Sequence, residues 1–114
     1  MLETRIGDFE EVMMLITGSL RKDESYAFRI AKAFESQTGR SVSLGAVHST
    51  LDRLETKGFV RSELRVGTSD RGDRRKRIFT VTALGNRVLI DAMNFKVGLW
   101  KNYPAFVNKI NFSV

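Results

Sequence analysis

Apolar residues recur at three- and four-residue steps in four stretches of this chain and alternate with polar ones in a fifth. Phe9, Val12, Met13, Ile16 and Leu20 share one helical face. Asp8, Glu10 and Glu11 bring the negative charge that a helix N-terminus favours. Together they predict a first helix over Asp8 to Leu20. Tyr26, Ala27, Ile30, Ala31 and Phe34 form the next stripe. Ser25 is the expected N-cap, accepting a backbone N–H bond, and Gly39 the expected stop, because Gly takes positive φ without steric cost. The second helix is placed over Ser25 to Gln37.

Ser41-Val42-Ser43 is short and β-prone, and Ser43 is the expected cap of a third helix. There Leu44, Val47, Leu51 and Leu54 cluster within about 80° of arc. The opposite side carries Gly45, Ala46, Ser49, Arg53 and Thr56, small or polar residues with one cation. Such a face admits close approach to another surface. Gly58 ends the helix.

From Phe59 to Val66 the pattern alternates, with Val60, Leu64 and Val66 on one side and Arg61, Glu63 and Arg65 on the other. That predicts a half-buried antiparallel strand. Arg77 to Val81 is the second strand, and the intervening loop puts a basic cluster on the tip and descending arm of a hairpin. Thr82 then caps a last helix, where Leu84, Val88, Leu89, Ala92, Phe95 and Leu99 recur at helical spacing. It ends near Asn102, since Pro104 cannot continue it and restricts Tyr103. Ala105 to Val114 has no clear period. The predicted fold is mainly α with a small β-hairpin. Three helices followed by a hairpin make a winged helix-turn-helix domain over residues 1–81. A C-terminal dimerisation helix over 82–103 and a tail over 104–114 follow.

Composition narrows the chemistry. With no Cys, thiol catalysis, disulfide scaffolds and cysteine metal sites are excluded. The single His48 argues against a histidine metal centre, and no cofactor motif appears. No nucleophile–base–orienter set or phosphate-binding glycine loop points to an enzyme. The longest wholly apolar run, Val12 to Ile16, is far too short to span a membrane. The first residues lack the pattern of a signal peptide, so a cytoplasmic location is expected.

The net charge of +6 lies entirely within Arg40 to Arg87, where eleven basic residues meet five acids. Its densest part is Arg71-Gly72-Asp73-Arg74-Arg75-Lys76-Arg77. In a winged helix-turn-helix the third helix enters the major groove of duplex DNA and the hairpin lies on the backbone or in the minor groove. A small-residue helix beside a basic hairpin suits that division of work.

The segment Val42 to Val60 resembles the recognition region of PadR-like transcriptional regulators. Gly7-Asp8-Phe9-Glu10-Glu11 resembles their first helix, Arg71-Gly72 with Arg74 to Phe79 their wing, and Thr82 with Gly85 the entry to their fourth helix. The resemblance covers roughly residues 6 to 90. Three positions depart from it: His48 stands for a usual Tyr, Tyr26-Ala27 for Tyr-Gly, and Ala83 for Pro. The resemblance implies a homodimeric regulator, commonly a repressor, joined through the fourth helix. In some members a small aromatic effector bound between subunits releases the DNA.

The residues expected at a palindromic operator are Ser43, Gly45, Ala46, Ser49 and Arg53 in the major groove. Arg53 reads a guanine or clamps a phosphate; the sequence does not separate the two. His48, at the edge of the apolar face, is either a DNA contact or a partly buried structural His. As a contact it would make binding pH-sensitive. Tyr26, at the start of the second helix, is either core or a phosphate contact. Arg71, Arg74, Arg75 and Lys76 are the wing contacts, while Arg77 can lie along the strand instead. Leu84, Val88, Ala92, Phe95 and Leu99 form the expected dimer seam. Phe95 and Trp100 line an effector pocket or simply pack in that seam. The alternative function is a winged-helix protein-interaction module that has lost operator binding.

Overall fold

The computed structural model describes residues 6–67 and 74–105. Three helices, α1 (Asp8–Ser19), α2 (Ala27–Thr38) and α3 (Leu44–Thr56), precede an antiparallel hairpin of β1 (Val60–Gly67) and β2 (Arg74–Val81), and α4 (Ala83–Lys101) follows. The hairpin pairs in continuous register from Val60 opposite Val81 to Gly67 opposite Arg74.

Each boundary has a local cause. Gly39 and Gly58 follow α2 and α3 with φ of 73° and 83°, where a side chain would be strained. Ser43 Oγ accepts from the Ala46 N–H at 3.0 Å, and Thr82 Oγ1 accepts from the Gly85 N–H at 3.0 Å, so both predicted caps form. Ser25 does not cap α2. Tyr26, not Ser25, precedes the first residue of α2. Ser25 is buried, and its hydroxyl donates to the Phe79 carbonyl at 2.7 Å while its own carbonyl accepts from the Phe79 N–H at 2.9 Å. The side chain is turned to β2 instead of accepting from an N–H of α2. Lys22–Glu24 form a 3-10 turn just before it.

The core lies where α1, α2 and α3 meet the root of the hairpin. Met13, Met14, Ile30, Val47, Leu51, Leu54, Val60 and Phe79 are almost fully buried there. Each such side chain contributes about 1.5–3 kcal/mol of transfer free energy. Phe9 meets Phe34 edge-on, with ring centres 5.6 Å apart.

Three further expectations change. Ser41-Val42-Ser43 is not a strand, because Ser43 is engaged as a cap and the sheet consists of β1 and β2 alone among the described residues. Leu44 is exposed, since it lies on the first turn of α3 beyond the reach of the core. The strand β1 is half-buried only at its root: Val60 is buried, whereas Leu64 and Val66 stand on the part of the hairpin that leaves the core. In addition, β2 begins at Arg74, so Arg74, Arg75 and Lys76 are strand residues.

Helix α4 packs closely only at its start. A Cβ on Gly85 would lie 2.1 Å from the Phe59 carbonyl oxygen, so the helix and the α3–β1 turn touch backbone to side-chain position. Val88 is the last fully covered residue. Farther along, Lys96 ties α4 back to α1 through Glu11, with Asp8 at 3.8 Å. No described helix is long and apolar enough to cross a membrane.

Candidate nucleic-acid interface

The exposed face of α3 lies between two charge networks. Gly45, His48 and Ser49 are exposed along it, and Ala46 is half-buried. Ser43 stands at its start, its hydroxyl oxygen occupied by the cap.

On one flank, Arg53 and Lys57 turn back to Glu10 of α1. Arg53 Nε donates to Glu10 Oε2 at 3.1 Å, and Lys57 Nζ donates to the same oxygen at 3.1 Å and to Oε1 at 3.3 Å. The Gly7 N–H donates to Glu10 Oε1 at 2.9 Å. Burial alone would push the Glu10 carboxyl up, but the Gly7 N–H, Lys57 and Arg53 together outweigh it and hold the group below its ordinary value.

On the other flank, Glu55 accepts from the Ser62 N–H at 3.1 Å, from the Ser62 hydroxyl at 2.8 Å and from Arg77 at 2.7 Å. Arg77 Nε also donates to Ser62 Oγ at 2.9 Å, and its other nitrogen lies 3.5 Å from Asp52. The guanidinium thus compensates two acids that would otherwise repel a phosphate backbone. It also fixes the hairpin to the end of α3. Arg77 lies along the strand, as one of the two sequence readings had it.

Tyr26 and Lys76 come together although fifty residues separate them in the chain. Lys76 Nζ sits 4.2 Å from the centre of the Tyr26 ring, at the N-terminus of α2. This places a cation, a phenol and the positive end of a helix dipole in one spot. Arg75 is exposed on β2. The backbone of Arg74 pairs with Gly67, and Arg71 lies outside the described residues.

Among the expected seam residues, Leu84, Phe95 and Leu99 are exposed and Ala92 is half-buried. Val88 instead belongs to the domain's own core, 2% exposed. Trp100 borders a shallow hollow with Lys96, Leu99 and Tyr103, while Phe95 borders another with Ile6, Glu11 and Asp91. Lys96 touches both, and its ammonium is held above its ordinary value mainly by the bond to Glu11.

Sequence reading missed Glu10 and Glu55 as organisers. For Glu10 a signal existed: it falls on the same stripe as Met13, Met14 and Thr17, all buried, so an acid stood where α1 faces the core. Glu55 gave no such signal, because its partners Ser62 and Arg77 lie on other elements.

Three helices, a two-stranded wing rooted on the third of them and a closing helix define a winged helix-turn-helix domain. The chain belongs to the transcriptional regulator PadR-like family, which it matches over residues 16–91. Among solved structures, RosR of H. salinarum is 18% identical with a TM-score of 0.69, the alignment covering 95% of this chain and 90% of that one. A PadR family transcription regulator from Clostridium difficile is 20% identical with a TM-score of 0.61, over 90% of this chain and 97% of that one. Bacillus subtilis PadR, solved in complex with operator DNA, is 21% identical with a TM-score of 0.60, over 75% of this chain and 46% of that one. At these identities the likeness establishes a shared fold. No curated protein sequence matches the chain.

Proposed function

We propose that this chain is a sequence-specific DNA-binding regulator, acting in the cytoplasm as a homodimeric repressor at a palindromic operator. The observation that carries the reading is the face of α3. Its acids are compensated by Arg77 and its cations by Glu10, so Gly45, Ala46, His48 and Ser49 stand between with no uncompensated carboxylate among them. A face of that kind approaches base edges without a bulky or like-charged obstacle. Arg75 and the Tyr26–Lys76 pair flank it as phosphate contacts that set register but not sequence. The exposed apolar residues of α4 supply the seam. A small aromatic effector would enter beside Phe95, where α1 and α4 leave a hollow.

Selection of bound duplexes from a random pool by the purified chain tests this reading. A recovered palindrome is expected, with half-sites about one helical turn, roughly 34 Å, apart. Its affinity should fall with salt by a log–log slope of about −0.9 per phosphate contact. A clean dimer that enriches no sequence would favour the interaction module instead.

A further inference from the structure

The first turn of α3 leaves a large apolar side chain in the open beside a space that nothing in the protein fills. Leu44 is 45% exposed and, among the described residues, is the one large apolar side chain of α3 left outside the core. Its spacing with Val47, Leu51 and Leu54 would carry it inward, yet the core ends before it. Leu44 borders a hollow with Phe28, Val42 and Lys32 instead, and Phe28 is itself 52% exposed. It therefore has apolar neighbours and an open side.

Gly45 is the space beside it. Its φ lies outside the left-handed region, and a Cβ built on it would meet only Ser43 Oγ, at 3.9 Å. Neither conformation nor packing within the chain calls for glycine there, in contrast to Gly39, Gly58 and Gly85. Helix propensity favours alanine over glycine. What the missing Cβ provides is room for a surface from outside the chain to come against the helix backbone. Leu44 with His48, and Gly45 with Ser49, are four residues apart and so line up along α3. The gap and the exposed leucine thus continue the face assigned above to base edges, at the end of the helix whose residues reach those edges.

We infer that Leu44 reads a thymine in each half-site. Its side chain packs on the C5-methyl group, while the absent side chain of Gly45 lets the base edge come within contact distance. The inference rests on the DNA-binding reading above and adds to it a specificity-determining residue that helical spacing had assigned to the core. Every base pair offers hydrogen-bonding groups in the major groove, and thymine alone among the four bases adds a methyl group there. A leucine neither donates nor accepts a hydrogen bond. Set against the edge of any other base, it would cover polar groups without pairing them, which costs affinity. The thymine methyl is the one apolar partner that the groove offers.

The test uses the full chain and the duplex recovered by selection. Each thymine of the half-site is replaced in turn, in both halves at once, by uracil, which keeps the pairing and every hydrogen-bonding group but lacks the methyl. For the wild-type chain one position should weaken binding by about tenfold, the product of about three- to fivefold for each buried methyl group. The salt slope should stay the same, since no phosphate contact is lost. Leu44→Ala removes the contact, touches no core residue and keeps a good helix former. It should bind the thymine and uracil duplexes within about twofold of each other, whereas Leu44→Met, still large and apolar, should retain the preference. Gly45→Ala separates a role in the fold from a role at the interface. Its thermal midpoint should hold or rise, while affinity for the thymine duplex should fall by at least about tenfold. Equal binding of every uracil duplex by the wild type overturns the inference. So does a methyl preference that survives in Leu44→Ala, and a Gly45→Ala chain that binds as the wild type does overturns the part given to Gly45. A wild type that binds no duplex at all overturns the DNA-binding reading itself, a result distinct from these.

Discussion

Glu10 of α1 accepts a hydrogen bond from Arg53 of α3 at 3.1 Å, across forty-three residues of sequence. Lys57, the residue just after α3, reaches the same carboxylate. The first turn of α1 is therefore tied to the last turn of α3. Glu10→Gln keeps the shape but leaves two cations without their anion. It should destabilise the fold by about 1–3 kcal/mol, less than for a fully buried pair because Arg53 is half exposed. Urea unfolding at fixed protein concentration gives the value, and an unchanged midpoint would remove Glu10 from this role. The freed cations should also raise affinity for random-sequence duplex and steepen its salt dependence.

The same carboxylate gives stability a pH dependence. Its folded-state pKa is depressed, so the unfolded chain binds more protons over that window and stability rises with pH. The contribution is complete above the unfolded Glu value of about 4.3 and is lost as pH falls through the depressed folded value. Urea midpoints followed from about pH 6 downward should show a shallower acid loss in Glu10→Gln than in the wild type. Parallel curves would place the acid sensitivity elsewhere.

Arg77 and Glu55 couple the wing to α3 at 2.7 Å. A double-mutant cycle with Arg77→Ala and Glu55→Ala should return a coupling of about 0.5–1.5 kcal/mol, modest because both side chains are partly solvated. Glu55→Ala alone should cost more than Arg77→Ala alone, because it also leaves the Ser62 N–H without its acceptor. A coupling of zero would make the wing's attachment a matter of its buried root only.

The elements themselves were legible in the sequence because local signals agree with tertiary need. Ser43, Thr82, Gly39 and Gly58 mark helix ends by their own chemistry, and Val47, Leu51 and Leu54 mark the buried face of α3 by spacing. The site was legible in part. The small-residue face of α3 is a local pattern, whereas the clamps on its two sides join α1 to α3 and α3 to β2. No periodicity within one element reports them. Ser25 illustrates the limit: as a cap it satisfies every local rule, yet its hydroxyl is taken by Phe79, fifty-four residues away. Val88 likewise fits a seam by spacing but is buried in the domain's own core.

Gly85 tests the joint between α4 and the rest of the domain. A methyl group there would lie 2.1 Å from the Phe59 carbonyl oxygen and 2.9 Å from Val81. The carbonyl is backbone and cannot swing aside as a side chain would. Helix propensity alone favours Ala over Gly by about 1 kcal/mol, so a stabilising effect is the expectation from sequence. The structure predicts the opposite sign, a loss of about 2–4 kcal/mol for Gly85→Ala. Thermal unfolding decides between them by direction alone.

The outer part of α4 bears on assembly. Ile90, Met93, Phe95, Leu99 and Trp100 are each more than half exposed, with Phe95 the most open at 69%. A lone domain rarely carries so many large apolar side chains on one solvent-facing helix. Under the dimer reading, Phe95→Asp puts a charge into an apolar seam without touching the core. The variant should keep its far-ultraviolet circular dichroism, since the helix N-terminus remains packed through Gly85 and Val88. Its mass by light scattering should fall from a dimer to the 12.9 kDa of one chain at micromolar concentration. Each half of a palindrome would then be bound separately, and affinity for the whole site should drop by a factor of about 100 or more. A Phe95→Asp protein that retains the dimer mass would show that the seam runs along another face of α4.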